Sequence, residues 1–347
     1  MKKLKTITGI ALMTILGFTS CQSEIDNVEG NNPNTNSANS TTTTNLKRTA
    51  MYDGSSDDFI DGASCSSIIL PASAKVNGVQ VSLFSQIDYQ QVISILALSN
   101  NDQDTVVLQF PLRVKLSNYT EVTVNSQAEY NAILNACTTA QSNSQSAIST
   151  LDISFPITIL TYNESLVQTG TVVITSKQQL YTYMSNVAST EYYSVKYPIS
   201  TTITGESKST VTSDAELQST INASLAVKAK IEAAAENSKK LETILVNGKF
   251  KVDSYISAGV NTATNYKDYT VNFANNLSVT ATNILSTTVN GTYKVSSEVD
   301  VLLKLNFSGN ATFVLLNNTW KVSSFSATTI SLQSTTNAAV TLVLKQI

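Results

Sequence analysis

Residues 153–187 read ISFPITILTYNESLVQTGTVVITSKQQLYTYMSNV. Ile153 and Phe155 alternate with polar neighbours and run into Pro156, and Val172 and Ile174 alternate again. Such alternation marks half-buried strands, and the proline demands an edge or a bulge because it has no amide to give a ladder. Ser176-Lys177-Gln178-Gln179 then precedes apolar residues at i, i+3, i+4 and i+7: Leu180, Tyr183, Met184 and Val187. A serine oxygen accepting from the third amide, with the glutamine reaching back, is a capping box. The apolar spacing behind it is that of an amphipathic helix. The stretch predicts strand, strand, helix.

The same pattern is written three more times. Pro71, Pro111 and Pro198 follow Leu70, Phe110 and Tyr197, so successive prolines are 40, 45 and 42 residues apart. Ile68, Leu108, Ile153 and Val195 stand two positions before those apolar residues. The remaining caps are Ser85 with Asp88, Ser126 with Glu129 and Ser213 with Glu216; Asp88 is short for the reach back. A fixed period of this size marks an internal repeat. One ββα unit cannot close a core, because an isolated hairpin is marginal. Stacked units can, with antiparallel sheet covered by helices on one face; a flatter array and two paired sheets are equally permitted. The fourth helix runs on through Ala-rich sequence to Glu236 without Gly or Pro, which predicts a stiff spacer.

From about Leu245 onward every segment is strand-like. The expected strands are 249–255, 268–273, 277–283, 289–295, 299–307, 312–316, 320–325, 329–333 and 339–345. One face collects Tyr269, Val271 and Phe273, then Val301, Leu303, Leu305 and Phe307, then Ile330, Leu332, Leu342 and Leu344. Eight or nine short strands at such spacing argue for a barrel or sandwich. Closure would remove the exposed edges of so many neutral strands. Trp320, the single tryptophan, reads as barrel core.

At the other end, Lys2, Lys3 and Lys5 precede an apolar run from Ile7 to Phe18. This is the layout of a signal peptide over residues 1–20, and the run is too short for a helix that crosses a bilayer. Phe18-Thr19-Ser20-Cys21 resembles the lipobox of bacterial lipoproteins, which implies lipidation of Cys21. The acidic stretch Gln22-Ser23-Glu24-Ile25-Asp26 resembles the surface-export signal of Bacteroidota lipoproteins. Residues 21–64 are mostly polar, above all Asn, Thr and Ser up to Ala50, and read as a disordered linker.

Composition narrows the chemistry. The 347 residues carry 22 Lys+Arg, 25 Asp+Glu and no histidine. Histidine-based triads, His-ligated metals and imidazole switches are therefore excluded. A net charge of −3 with no basic run gives no footprint for nucleic acid. No phosphate-binding loop, nucleophile elbow or C-x-x-C motif occurs, and no two acids are brought together for glycoside chemistry. Asp53, Asp57, Asp58 and Asp61 lie near Gly54 and Gly62 without the EF-hand spacing; they read as a solvated lead-in to the first strand, with no metal assigned. Tyr181, Tyr183, Tyr192, Tyr193 and Tyr197 form an aromatic concentration of the kind that stacks on carbohydrate. Once Cys21 is lipidated, Cys65 and Cys137 remain. A disulfide between them and a plain core role for Cys137 both stay open.

Asn247-Gly248-Lys249-Phe250-Lys251-Val252, Tyr269 to Phe273, Val289-Asn290-Gly291-Thr292-Tyr293 and Leu316 to Val322 together resemble the lipocalin-like domain common in Bacteroidota lipoproteins. The repeats look like Ser-capped ββα segments of such secreted proteins. The expected fold class is thus α+β: a signal peptide (1–20), a linker (21–64), four ββα repeats ending in a long helix (65–236) and a lipocalin-like barrel (243–347). The resemblance implies an outer-membrane, surface-displayed lipoprotein attached to the membrane through its lipid. The functional expectation is a non-enzymatic binding or adhesion module for a glycan or envelope protein, without a cofactor. The alternative is a carrier of a small apolar ligand inside the barrel.

Overall fold

The computed structural model describes residues 32–98 and 104–347. The signal peptide and Cys21 lie outside the described residues. The chain is a mixed α+β protein whose C-terminal part is a closed antiparallel barrel of eight strands. Seven α-helices occur among the described residues: α1 (Thr41–Thr49), α2 (Asp58–Asp61), α3 (Tyr89–Leu96), α4 (Gln127–Ser142), α5 (Lys177–Asn186), α6 (Asp214–Asn247) and α7 (Ala311–Val314).

The region before the barrel holds four small sheets instead of one continuous sheet. In each expected repeat the proline stands between two strands, and a third strand leads into the helix. Ser66–Ile69, before Pro71, pairs with Leu112–Leu116, which follows Pro111; Val106–Leu108, before Pro111, pairs with Ala72–Val76, which follows Pro71. The same exchange joins Leu151–Ile153 to Ile199–Ile203 and Tyr192–Val195 to Ile157–Tyr162. Each proline therefore occupies the crossing from one sheet to the next, and the expectation of two strands with an edge or bulge proline is corrected to three. Two separate cores result. One gathers Ile68, Val76, Leu83, Val92, Val114 and Tyr130; the other gathers Leu46, Leu151, Ile159, Leu180, Tyr193 and Leu217.

The linker expectation fails from residue 32 onward. Asn36–Ser37 adds to the edge of Tyr192–Val195. Ser40 caps α1 by accepting from the Thr43 amide, and Leu46 and Ala50 are fully buried in the second core. Polar side chains hold the rest: Thr43 and Tyr193 share a 2.7 Å hydrogen bond, and Asn45 donates to Gln218 at 2.8 Å. The ordering energy comes from a few buried groups and satisfied hydrogen bonds, which overall composition does not reveal.

The expected boundary between 236 and 243 falls inside α6, which runs to Asn247. Its first half buries Leu217 and Ile221 in the second core, and its last turns bury Leu241 and Leu245 in the barrel core. The barrel follows the expected strands in order, from Lys249–Ser257 to Thr341–Gln346, and those two pair to close it. Residues 312–316, expected as a strand, include most of α7. Asn310 accepts from the amides of Thr312 and Phe313, starting a turn that drops Phe313 onto the barrel core.

Candidate functional site

The crossing in the second half opens a surface groove of about 360 Å³. Its floor is fixed by backbone: the Ser154 amide donates to the Ser200 carbonyl at 2.9 Å, and the Lys196 amide to the Thr158 carbonyl at 2.8 Å. Pro156, Pro198 and Tyr197 supply flat apolar surface, while Ser154, Thr158, Ser200 and Lys196 supply polar groups. Both X–Pro bonds here are cis, as are Leu70–Pro71 and Phe110–Pro111.

Tyr197 is held from behind. Its hydroxyl donates to Asp214 Oδ1 at 2.5 Å, and Asn36 donates to Asp214 Oδ2 at 2.6 Å. The Asp214 amide, at the start of α6, donates to Asn34 Oδ1 at 3.0 Å. Burial raises the Asp214 carboxyl above the usual aspartate range, against the two hydrogen bonds that lower it. Burial and the Asp214 charge together push the Tyr197 phenol far above its ordinary value, so the ring stays neutral and fixed. The groove lining contains one cation, hydroxyls and rings, and no carboxylate or imidazole. That set can stack on a flat ligand and hydrogen-bond to it.

The barrel interior is a different surface. Trp320, Phe250, Phe273, Tyr266 and Phe313 are all buried within it. Their rings meet edge-on, as in Phe250–Phe273 at 5.8 Å and Tyr266–Phe313 at 5.2 Å, the arrangement favoured by the ring quadrupole. Polar tips are satisfied by backbone: Trp320 Nε1 donates to Leu316 O, Tyr255 to Leu315 O and Tyr266 to Thr312 O. At the barrel end remote from the start of Lys249–Ser257, Val260 on a short hairpin strand and Ile284, Leu285 and Leu315 between strands are exposed.

Cys65 and Cys137 are joined in a disulfide with Cα atoms 5.7 Å apart, tying the start of Ser66–Ile69 to α4. The acidic lead-in is not solvated as expected. Asp57 is 1% and Asp61 5% exposed, because Gly54 brings the turn flush against Ser66; a Cβ on Gly54 would sit 2.0 Å from the Ser66 carbonyl oxygen. Burial, then the nearby Asp57 charge, pushes the Asp61 carboxyl up to about 8. Of the tyrosines, Tyr193 is fully buried, Tyr183 packs edge-on against it, and Tyr197 lines the groove. Tyr181 is half-buried against Tyr119, which in turn meets Tyr52, with Lys47 and Lys115 over these rings. They form a seam between the two halves instead of a free stacking face. The sequence reading did not single out Lys196, Ser154 and Thr158, since only the exchange of strands across the prolines brings them together.

No family model matches the chain, and no curated protein matches it. Among solved structures, a duf4847 family protein from Bacteroides vulgatus is similar over 30% of this chain and 96% of that chain, at 12% identity and a TM-score of 0.23.

Proposed function

We propose that this chain is a non-enzymatic lipoprotein of the cell envelope that binds an external partner through its repeat region. The observation that carries the reading is where open surface lies. The groove at the Pro156/Pro198 crossing is open and polar, whereas the barrel interior is filled by buried aromatic rings. A filled barrel disfavours the carrier alternative, because a small barrel has room for side chains or for a ligand. Cys21 is the lipid acceptor, and residues 1–20 are removed as the signal peptide. The four repeat units, each of three strands and a helix, act as two exchanged pairs, a reading supported by the matching strand exchange across each pair of prolines. The groove suits a glycan, whose rings stack on flat side chains and whose hydroxyls pair with Ser154, Thr158 and Ser200.

The test measures binding of the mature chain to envelope glycans and whole cells, beside Thr158→Trp, which fills the groove. Binding lost in the variant supports the reading. Equal binding by both proteins removes the groove from it, and an apolar molecule retained in native mass spectrometry would move the function to the barrel. Palmitate labelling that persists in Cys21→Ala would defeat the anchor.

A further inference from the structure

We propose that Asp57, Asp61 and Ser66 form a buried site for a hard divalent cation, calcium by its preference for oxygen ligands. Four buried side-chain oxygens lack a hydrogen-bond partner among the described residues: Asp57 Oδ1, Asp58 Oδ1, Asp61 Oδ2 and Ser66 Oγ. All four fall within one ten-residue stretch. Buried polar atoms are nearly always partnered, and a knot of exceptions asks for an ion or water.

Ser66 is the observation independent of the acids. It is 0% exposed, its hydroxyl has no partner, and it sits on a strand instead of in the acidic turn. The Tyr130 hydroxyl donates to the Asp61 carbonyl at 3.0 Å and also lies beside the Asp61 carboxylate and the Ser66 hydroxyl. The serine therefore faces the space that the acid faces. Backbone fixes the other oxygen of each carboxylate: the Ile68 amide donates to Asp57 Oδ2 at 2.7 Å, and the Ala63 amide to Asp61 Oδ1 at 2.9 Å. Asp57 Oδ1 and Asp61 Oδ2 receive no such donor, and the Tyr89 and Tyr130 phenols stand beside the two carboxylates. No Lys or Arg pairs with these acids among the described residues, so only a proton or a bound cation can neutralise the pair, and a divalent ion matches two carboxylates.

Asp58 belongs to the outer side, where Ser64 donates to its Oδ2. No group of three acidic, Cys or His side chains is placed to hold a metal among the described residues. The site is accordingly two carboxylates and one hydroxyl, with water completing the shell. An ion here would pin the turn that carries α2 to the strand Ser66–Ile69, next to the Cys65–Cys137 bridge.

The experiment is calorimetric titration and thermal melting of the chelator-treated mature chain with calcium chloride, against magnesium and sodium chloride at matched ionic strength. The expected result is one calcium per chain and a raised melting temperature that chelator reverses. Ser66→Ala, which leaves both carboxylates in place, weakens calcium binding by about tenfold, and Asp57→Asn abolishes it. Should Asp57→Asn fail to fold, Ser66→Ala decides alone. Absence of calcium heat and of any melting shift at millimolar concentration overturns the proposal, leaving the two carboxyls to share a proton. Binding unchanged in Ser66→Ala overturns it as well, by placing the ion elsewhere.

Discussion

At the scale of single residues, Tyr197 and Asp214 show how a groove wall is held by a group that does not face the groove. The phenol hydroxyl is one of two side-chain donors to a partly buried carboxylate, the other being Asn36. Tyr197→Phe strands one carboxylate oxygen and should destabilise the second half by about 2 kcal/mol near neutral pH, read by urea denaturation. A pH profile separates the carboxylate from the ring. Burial holds the Asp214 carboxyl above the unfolded aspartate range, so the folded chain keeps a proton that the unfolded chain has already released. Its stabilising contribution is full below the unfolded pKa and declines as pH rises through the folded value. Asp214→Asn removes that titration, so its stability relative to the parent should climb as pH rises above the unfolded aspartate range, about 4. Parallel profiles for the two proteins would contradict this.

At the scale of elements, the caps behave as their sequence says. Ser126, Ser176 and Ser213 accept from the amides of Glu129, Gln179 and Glu216. The N3 side chains reach one residue further back than the capping box requires, to the amides of Asn125, Thr175 and Thr212. Asp88 does reach the Ser85 amide, at 2.8 Å, because the turn Gln86–Asp88 is wound as a tighter 3-10 helix. Ser213→Ala should lower stability by about 1 kcal/mol, measured by chemical denaturation, and Ser213→Asp should restore most of it; an unaltered midpoint in Ser213→Ala would count against the cap. Helix starts and stripes were legible because they depend on neighbours within one turn. The strand after each proline was not, since its exchanged partner lies in a neighbouring unit and Ala72–Val76 offers only small or mixed side chains to read. The segment 312–316 misled for a related reason: Phe313 and Leu315 alternate as a strand would, but Asn310 caps a turn there and Phe313 is needed to cover the barrel core. The groove could not be read at all, because its two walls are 42 residues apart in sequence and meet only through strand exchange.

At the scale of the whole molecule, α6 is the element that joins the second core to the barrel. Its 34 residues span about 51 Å at the usual rise, longer than either core alone requires. Leu217 and Ile221 belong to one core, and Ala234, Leu241 and Leu245 to the other, while residues 228–233 between them bury little. Helix continuity, more than side-chain packing, therefore carries the coupling across that stretch. Ala233→Pro tests this at an exposed position, since proline removes one helical hydrogen bond and clashes with the preceding turn, at about 3 kcal/mol. If continuity couples the two, calorimetry should resolve separate transitions for the barrel and the second core in the variant, and a protease should gain a cut between 228 and 236. The barrel's own aromatic packing should keep its transition near that of the parent, because Trp320 and its neighbours lie far along the chain from the break. A single transition moved down as a unit, with no new cleavage, would mean that contacts outside the helix hold the two together.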